Sequence, residues 1–595
     1  MTDALTPPRQ RALPAPPPAS RAISLLPWFL AAGWGSQAAI RLLLWWGRKN
    51  PLVLPDEAGY LLAARWLTGG PAADLSGFTF YKGGYSLLLT PAYLISDDPS
   101  VVYQLVRVTN ALLGALVFPL GYLLLMRLGL RRLHACPLAW AAALLPACTL
   151  YNGLALVDAV LPVLVLGWLL LLDRFVRDGH PLACGGASLL AAYASAGHMR
   201  GLIVIAVHSI VLAAYASWRG TPWRTRRAAL AGLGLTAAGY AAGALLNAQI
   251  LDALYPTGQR DLTGILADRM TSLDGQLWAV SGGVGQVWAM ICGTWGLAGL
   301  GLIVVTRTAL SRDAAGADRT MSRVLLTTTA GVAYASSAAL PNELRIGNFA
   351  YGRYLSCFAL VYALIGLSVL MRTALTKSER MRGLFAATTA LVGVTALWVR
   401  LYGGSRLDVY DFYAWDLPEV GLLGGSYDYF RPAVTSAVAC LLLALLWGLS
   451  RWGGPKLFSA LIVVNLCAAL IAIVVARYSH ESSPAPPFPG AATGRVLMER
   501  PRYGTDVRRP DPYKPTPEMI YLWQAYEIGW TRLEGFDKDR GLPGPGVCAA
   551  IVYWPAGIMA ADTWPQRPAG WRYQRSGNAG RGLWWVVWYD PSCRR

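Results

Sequence analysis

Two acids, Asp56 and Glu57, stand side by side in the stretch LPDEAGYLLAARWL, just past the first long apolar run. Carboxylates are costly beside lipid, so an adjacent pair here needs a reason. Local rules supply one. Pro55-Asp56-Glu57 reads as a helix start, with Asp56 as the N-cap and Glu57 in the first turn, both favoured by the helix dipole. A chemical reading stands beside it. Adjacent helical residues point about 100° apart, so the pair cannot aim at one atom and is not the facing carboxylate pair of a glycosidase. One acid would serve as a general base, and the other would support the loop or bond a substrate hydroxyl. Lys82, in FTFYKGGYSLLL, sets a cation close to the same surface.

Further polar residues recur where spans begin or end. Asp158 opens VDAVLPVLVLGWLLLLDRF; it could orient Lys82 or an arginine, bind an acceptor, or cap its helix. AGHMRG puts His198 and Arg200 in a very short turn. Arg345 and Arg353 flank IGNFAYG, and Arg353 with Tyr354 would suit a phosphate through fork geometry plus a hydroxyl. The alternative for that pair is an anchor at the membrane interface.

The elements that must position these residues are membrane helices. The chain has 595 residues, 55% hydrophobic and only 14% charged, against about 25% charged in a soluble protein. Apolar runs long enough to span a bilayer recur from 23–46 to 457–476, about thirteen in all. This is a polytopic α-helical membrane protein. The net charge of +19 lies mostly in short loops between spans, so it speaks for topology rather than for nucleic acid. RLGLRRLH, DRFVRDGH, SWRGTPWRTRR, RTALTKSERMR and their like alternate with longer loops that hold Asp, Glu, Tyr and Trp. By the positive-inside rule the basic set is cytoplasmic, together with a Pro/Ala-rich tail at 1–22. The first run reads as a retained anchor rather than a cleaved signal. The transmembrane body is 23–477, and its first external loop, 47–100, carries Asp56, Glu57 and Lys82.

The last stretch, 478–595, opens on ESSPAPPFPG and reads as a small extracellular α/β domain. PEMIYLWQAYEIGW predicts an amphipathic helix, and CAAIVYW and GLWWVVWY predict buried strands. Cys548 and Cys593 are disulfide candidates if this part is outside the cell, whereas the other seven cysteines lie in or beside spans. Its tryptophans and tyrosines read as core or interface residues, with stacking on sugar rings as the alternative. No zinc spacing occurs.

The P-D-E-x-x-Y form of the first loop and the later G-R-Y at 352–354 resemble the GT-C membrane glycosyltransferases: protein O-mannosyltransferases, the lipid A aminoarabinose transferase and actinobacterial arabinofuranosyltransferases. The resemblance covers roughly 23–480 and implies a GT-C-like fold. It implies an inverting transfer of a sugar from a polyprenyl-phosphate donor, outside the membrane, to a glycan, lipid or protein acceptor. It carries the role of base to Asp56. Lys82 looks like the loop lysine that contacts donor phosphate in the aminoarabinose transferase. Arabinofuranose and mannose are the sugars that the resemblance and the Ala/Gly/Arg-heavy, actinobacterial-type composition suggest. No cofactor is required; a divalent ion between Asp56 and Asp158 stays open because some members bind metal. Competing readings are a transporter or flippase for a lipid-linked sugar, which would call for internal repeats, and a non-catalytic glycan-binding membrane protein.

Overall fold

The computed structural model describes residues 25–52, 56–373, 378–412 and 417–479, and further on 495–499, 522, 525–526, 533–540, 544–554, 558–576 and 584–593. The expected tail at 1–22 lies outside the described residues, as does nearly all of the helix expected over PEMIYLWQAYEIGW.

The body is helical. Among the described residues seven helices are long and apolar enough to cross a membrane, or nine if each of two bent pairs counts as one span. That is fewer than the thirteen apolar runs, some of which fall on shorter helices such as Pro181–Gly197. Several helices carry polar residues that are paired inside the bundle. Helix α1 (Leu26–Leu44) buries Gln37 and Arg41, and Arg41 Nε donates to Asn152 Oδ1 at 2.7 Å while Nη2 reaches the Ala143 carbonyl at 2.9 Å. The run expected as one span over 284–305 is broken. Leu273–Cys292 and Leu297–Leu310 meet at 119°. The corner contains Trp295 at φ 58° and Gly296 at φ 79°. A tryptophan in the left-handed region is strained and is held by its surroundings, here by Nε1 donating to Asn465 Oδ1 at 2.7 Å.

Helix α2 (Asp56–Leu67) starts where the sequence predicts, and every residue from Glu57 to Arg65 is buried. One side packs on the body, where Tyr60, Leu61 and Ala64 join Tyr85 and Leu89 of helix α3 (Gly83–Ile95) and Tyr103. The other side, Ala58, Leu62 and Ala63, lies in an apolar cluster with Ile250, Leu254, Leu522, Ala525 and one face of the C-terminal sheet. That sheet has strands β1 (Arg495–Glu499), β2 (Leu533–Phe536), β3 (Val547–Trp554), β4 (Arg572–Ser576) and β5 (Trp584–Tyr589) in the order β2-β1-β3-β5-β4. β1 runs parallel to β2 and β3, and β5 is antiparallel to β3 and β4. Alternation sends Val496, Ala549, Ile551 and Val587 into the cluster shared with α2, and Leu497, Ala550, Val552 and Val586 into a second core with Trp564 and Trp588. A disulfide joins Cys548 and Cys593. Arg65 Nη1 donates to the Ala525 carbonyl at 2.7 Å and Tyr526 Oη to the Pro99 carbonyl at 2.7 Å, tying this part to the first loop.

The start of α3 is pressed against the end of the helix Pro181–Gly197. A Cβ on Gly84 would lie 2.6 Å from Gly197 N and 2.7 Å from Ala196 C, both backbone atoms that cannot yield, whereas one on Gly35 meets nothing within 4 Å. Gly84→Ala is expected to destabilise the protein by about 1–3 kcal/mol, and Gly35→Ala to be neutral or slightly stabilising. Thermal unfolding of the purified variants in detergent checks both.

Candidate active site

The site is organised around Arg353. It sits second in a short 3-10 turn, Gly352–Leu355, ahead of the helix Ser356–Thr373. Arg353 Nη1 donates to Asp56 Oδ2 at 2.8 Å, and its Nε and Nη2 each lie 2.9 Å from Asp158 Oδ2. Asp158 Oδ1 accepts from Arg200 Nη2 at 2.6 Å. Acid and base therefore alternate along one chain, Asp56–Arg353–Asp158–Arg200, drawn from four separate elements. Side-chain exposure falls along it: 27% at Asp56, 11% at Arg353, 0% at Asp158 and 3% at Arg200. The Asp56 end is the exposed one, and the Asp158 end is buried. Burial alone would push the Asp158 carboxyl up, but Arg200 and Arg353 beside it more than offset that and hold it well below the usual carboxylate range.

His198 belongs to this anchor. Its Nδ1 accepts from Arg200 N at 3.1 Å and Arg200 Nε at 3.2 Å, and burial with the neighbouring guanidinium pushes its basicity well down, so it stays neutral and orients Arg200. Arg200 Nη1 also reaches the Arg353 and Tyr354 carbonyls at 3.3 and 3.4 Å. The Tyr354 ring stacks on Tyr351 at 4.5 Å and lies beneath the Arg200 guanidinium. Arg345 does not join the group. It pairs with Glu343 at 2.5 Å, and its backbone bridges to Asp411.

The two adjacent acids part company as their 100° separation requires. Glu57 is fully buried; its Oε1 accepts from Leu52 N at 2.6 Å, and its Oε2 from Tyr103 Oη at 2.6 Å and Ala155 N at 2.7 Å. It ties α2 to the body and has no face toward a substrate, which corrects its place among the catalytic candidates. Asp56 is the first residue of α2, and its carboxylate does not serve as the expected cap: Oδ2 is on Arg353 and Oδ1 accepts from Tyr81 Oη at 2.8 Å. Lys82 follows Tyr81 directly and precedes α3. Its ammonium donates to the Ser195 carbonyl at 2.8 Å, and burial pulls its basicity down to about 8.

Sequence reasoning missed three contributors. Tyr81 sits beside the lysine that was singled out, which was the available signal. Tyr151 lies under the Arg353 guanidinium at 5.8 Å. Glu419 lines a small cleft with Tyr151, Gly352 and Ser356, and burial pushes its carboxyl up to about 7. Among the described residues no group of three or more His, Cys, Asp or Glu side chains is placed to hold a metal ion, and the space between Asp56 and Asp158 contains the Arg353 guanidinium.

No protein-family model matches the sequence, and no curated protein matches it either. Solved structures do. ArnT from Cupriavidus metallidurans bound to undecaprenyl phosphate aligns with a TM-score of 0.50 at 15% identity, over 95% of this chain and 99% of that one. Its apo state gives 0.50 and 15% over 94% and 98%. The arabinosyltransferase EmbB from Mycobacterium smegmatis aligns at 0.43 and 16%, over 96% of this chain and 55% of that one. This chain has the GT-C fold. In this fold the two motifs that carried the resemblance, P-D-E-x-x-Y and G-R-Y, meet in the Asp56–Arg353 ion pair across 297 positions of sequence.

Removing the charge of Asp158 would leave two buried guanidinium groups without their shared partner. Asp158→Asn is expected to cost about 3–5 kcal/mol, the usual penalty for breaking a buried pair. Because the Asp158 carboxyl is held low in the folded state, that stabilisation is present at neutral pH and is lost only in strong acid. Denaturation of wild type and variant at pH 7 measures it.

Proposed function

We propose that this chain is an inverting glycosyltransferase that moves a sugar from a polyprenyl-phosphate donor to a hydroxyl of a glycan, lipid or protein acceptor, on the external face of the cell membrane. The observation that carries this reading is the partly exposed Asp56 carboxylate held against Arg353, with Lys82 one residue beyond the tyrosine that bonds the same carboxylate. The two cations suit the leaving phosphate and the carboxylate suits the incoming hydroxyl. In the reaction the acceptor oxygen forms its bond to the anomeric carbon from the face opposite the phosphate. The C–O bond to phosphate breaks with its electron pair, polyprenyl phosphate leaves, and the hydroxyl proton passes to Asp56. Lys82 and Arg353 hold the phosphate charge as it grows. Asp158, with Arg200 and His198 behind it, keeps Arg353 in register. Arabinofuranose and mannose remain the leading sugars from the sequence resemblance. The fold supports a polyprenyl-phosphate donor, since the ArnT structure of the same fold is bound to undecaprenyl phosphate.

The external placement follows from the basic loops, which set the opposite face in the cytoplasm. The two bent helix pairs, at 73° and 119°, are the feature that favours a flippase for the same lipid-linked sugar. A flippase would move the lipid without cleaving it.

Purified protein supplied with polyprenyl-phosphate sugars and cell-envelope glycans should release polyprenyl phosphate, and Asp56→Asn should lower kcat by about 10²–10⁴. Turnover by Asp56→Asn at the wild-type rate would remove Asp56 from the mechanism. A second expectation concerns the donor. Lys82 is protonated below about 8 and loses its charge above it, so the affinity for polyprenyl phosphate should weaken as the pH rises through 8. Lys82→Arg should keep its affinity across that range, because a guanidinium stays charged. Tryptophan-fluorescence titration at pH 7 and 9 checks it.

A further inference from the structure

Both oxygens of Asp56 are occupied. Oδ2 is paired with Arg353 and Oδ1 with the Tyr81 hydroxyl, each at 2.8 Å. While Oδ2 is engaged by Arg353 Nη1 it does not face an acceptor hydroxyl. The base of the proposed reaction must therefore be released from Arg353 before it can act, and must not lose its orientation when that happens.

Tyr81 is built to keep that orientation. Its ring meets Tyr60 edge-on at a centroid distance of 5.3 Å. It crosses α2 at Gly59, where a Cβ would stand 2.1 Å from the tyrosine ring, so a glycine one turn beyond Asp56 is what lets the hydroxyl reach the carboxylate. Behind it, Tyr255 Oη donates to the Thr79 carbonyl at 3.1 Å, which ties the strand of chain before Tyr81 to a different helix. Lys82 is the next residue, so one short segment sets both the base and a phosphate cation. Arg353, for its part, has two nitrogens on Asp158 and one on Asp56. With Nε and Nη2 fixed on Asp158, the planar guanidinium can exchange the partner of its Nη1, the Asp56 carboxylate, for an incoming phosphate.

We propose that Tyr81 is the positioning residue of the general base: the donor phosphate draws Arg353 Nη1 off Asp56 Oδ2, and the Tyr81 hydroxyl holds Oδ1 so that the freed Oδ2 faces the acceptor hydroxyl. This rests on the glycosyltransferase reading above. The base is thereby unmasked only when donor is bound. The acceptor proton goes to Oδ2, the acceptor oxygen bonds the anomeric carbon, and the electron pair of the broken bond leaves with polyprenyl phosphate.

Two measurements on the full-length protein test this. Tyr81→Phe keeps the ring and its contact with Tyr60 but loses the hydroxyl. With a polyprenyl-phosphate sugar as donor, kcat is expected to fall about 10-fold while the donor KM changes less than about twofold. The half-point of the acidic limb of the pH–kcat profile moves up by ~0.5–1 unit, since the carboxylate has lost a donor to its charged form. A packing role alone would leave the limb where it is, and an unmoved limb overturns the proposal. The second readout needs no turnover. Asp56→Asn removes the carboxylate that competes for Arg353, so it should bind polyprenyl phosphate roughly 10-fold more tightly than wild type. Equal or weaker binding contradicts the unmasking. The two levels separate cleanly: a fully active Asp56→Asn sinks the base reading itself, whereas an inactive Asp56→Asn beside an unmoved Tyr81→Phe profile sinks only the role of Tyr81.

Discussion

The Arg353 guanidinium between two carboxylates is the contact on which the rest of this molecule depends. A buried arginine needs a fixed counter-charge, and Asp158, fully buried and shared with Arg200, supplies it. With that end immobile, the other end of Arg353 presents a cation at the partly open edge where Asp56 stands. The alternation of charge makes the group neutral as a whole, so it survives next to a membrane. It also leaves a guanidinium that can exchange one carboxylate for a phosphate of the same charge.

Holding Asp56 at that edge takes structure on both sides of α2. From the body, Glu57 accepts three hydrogen bonds and locks the helix start to Leu52, Tyr103 and Ala155. From outside, Ala58, Leu62 and Ala63 are enclosed in an apolar cluster that includes Ile250, Leu254, Leu522 and Ala525 and the sheet residues Val496, Ala549, Ile551 and Val587. A helix buried on both faces cannot roll, and the direction of its first side chain is set. The paired acids thus divide labour in the way their angular separation demands, one facing inward as a tie and the other toward the site.

Much of the site was legible in the sequence because charge in an apolar chain is costly and therefore conspicuous. Asp56, Lys82, Asp158, His198, Arg200 and Arg353 all stood out on that ground, and the structure brings most of them into one hydrogen-bonded group. Arg345 stood out equally and went elsewhere, since nothing in a loop sequence says that Glu343 two residues away is its partner. Tyr81 was hidden among 28 tyrosines, most of which in a membrane protein serve packing or the interface. The burial of α2 was illegible because its cover arrives from the far end of the chain; the Arg65–Ala525 bond spans 460 positions. The apolar runs located helices well but overstated single, unbroken spans, because a 119° corner at Trp295 costs no hydropathy.

The most direct test is a structure of the protein with bound polyprenyl phosphate. The phosphate should lie within hydrogen-bond distance of Arg353 and Lys82, with the Asp56–Arg353 contact opened beyond its present 2.8 Å and the Arg353–Asp158 contact retained. A phosphate seated away from Arg353, with the Asp56–Arg353 pair intact, would contradict the account.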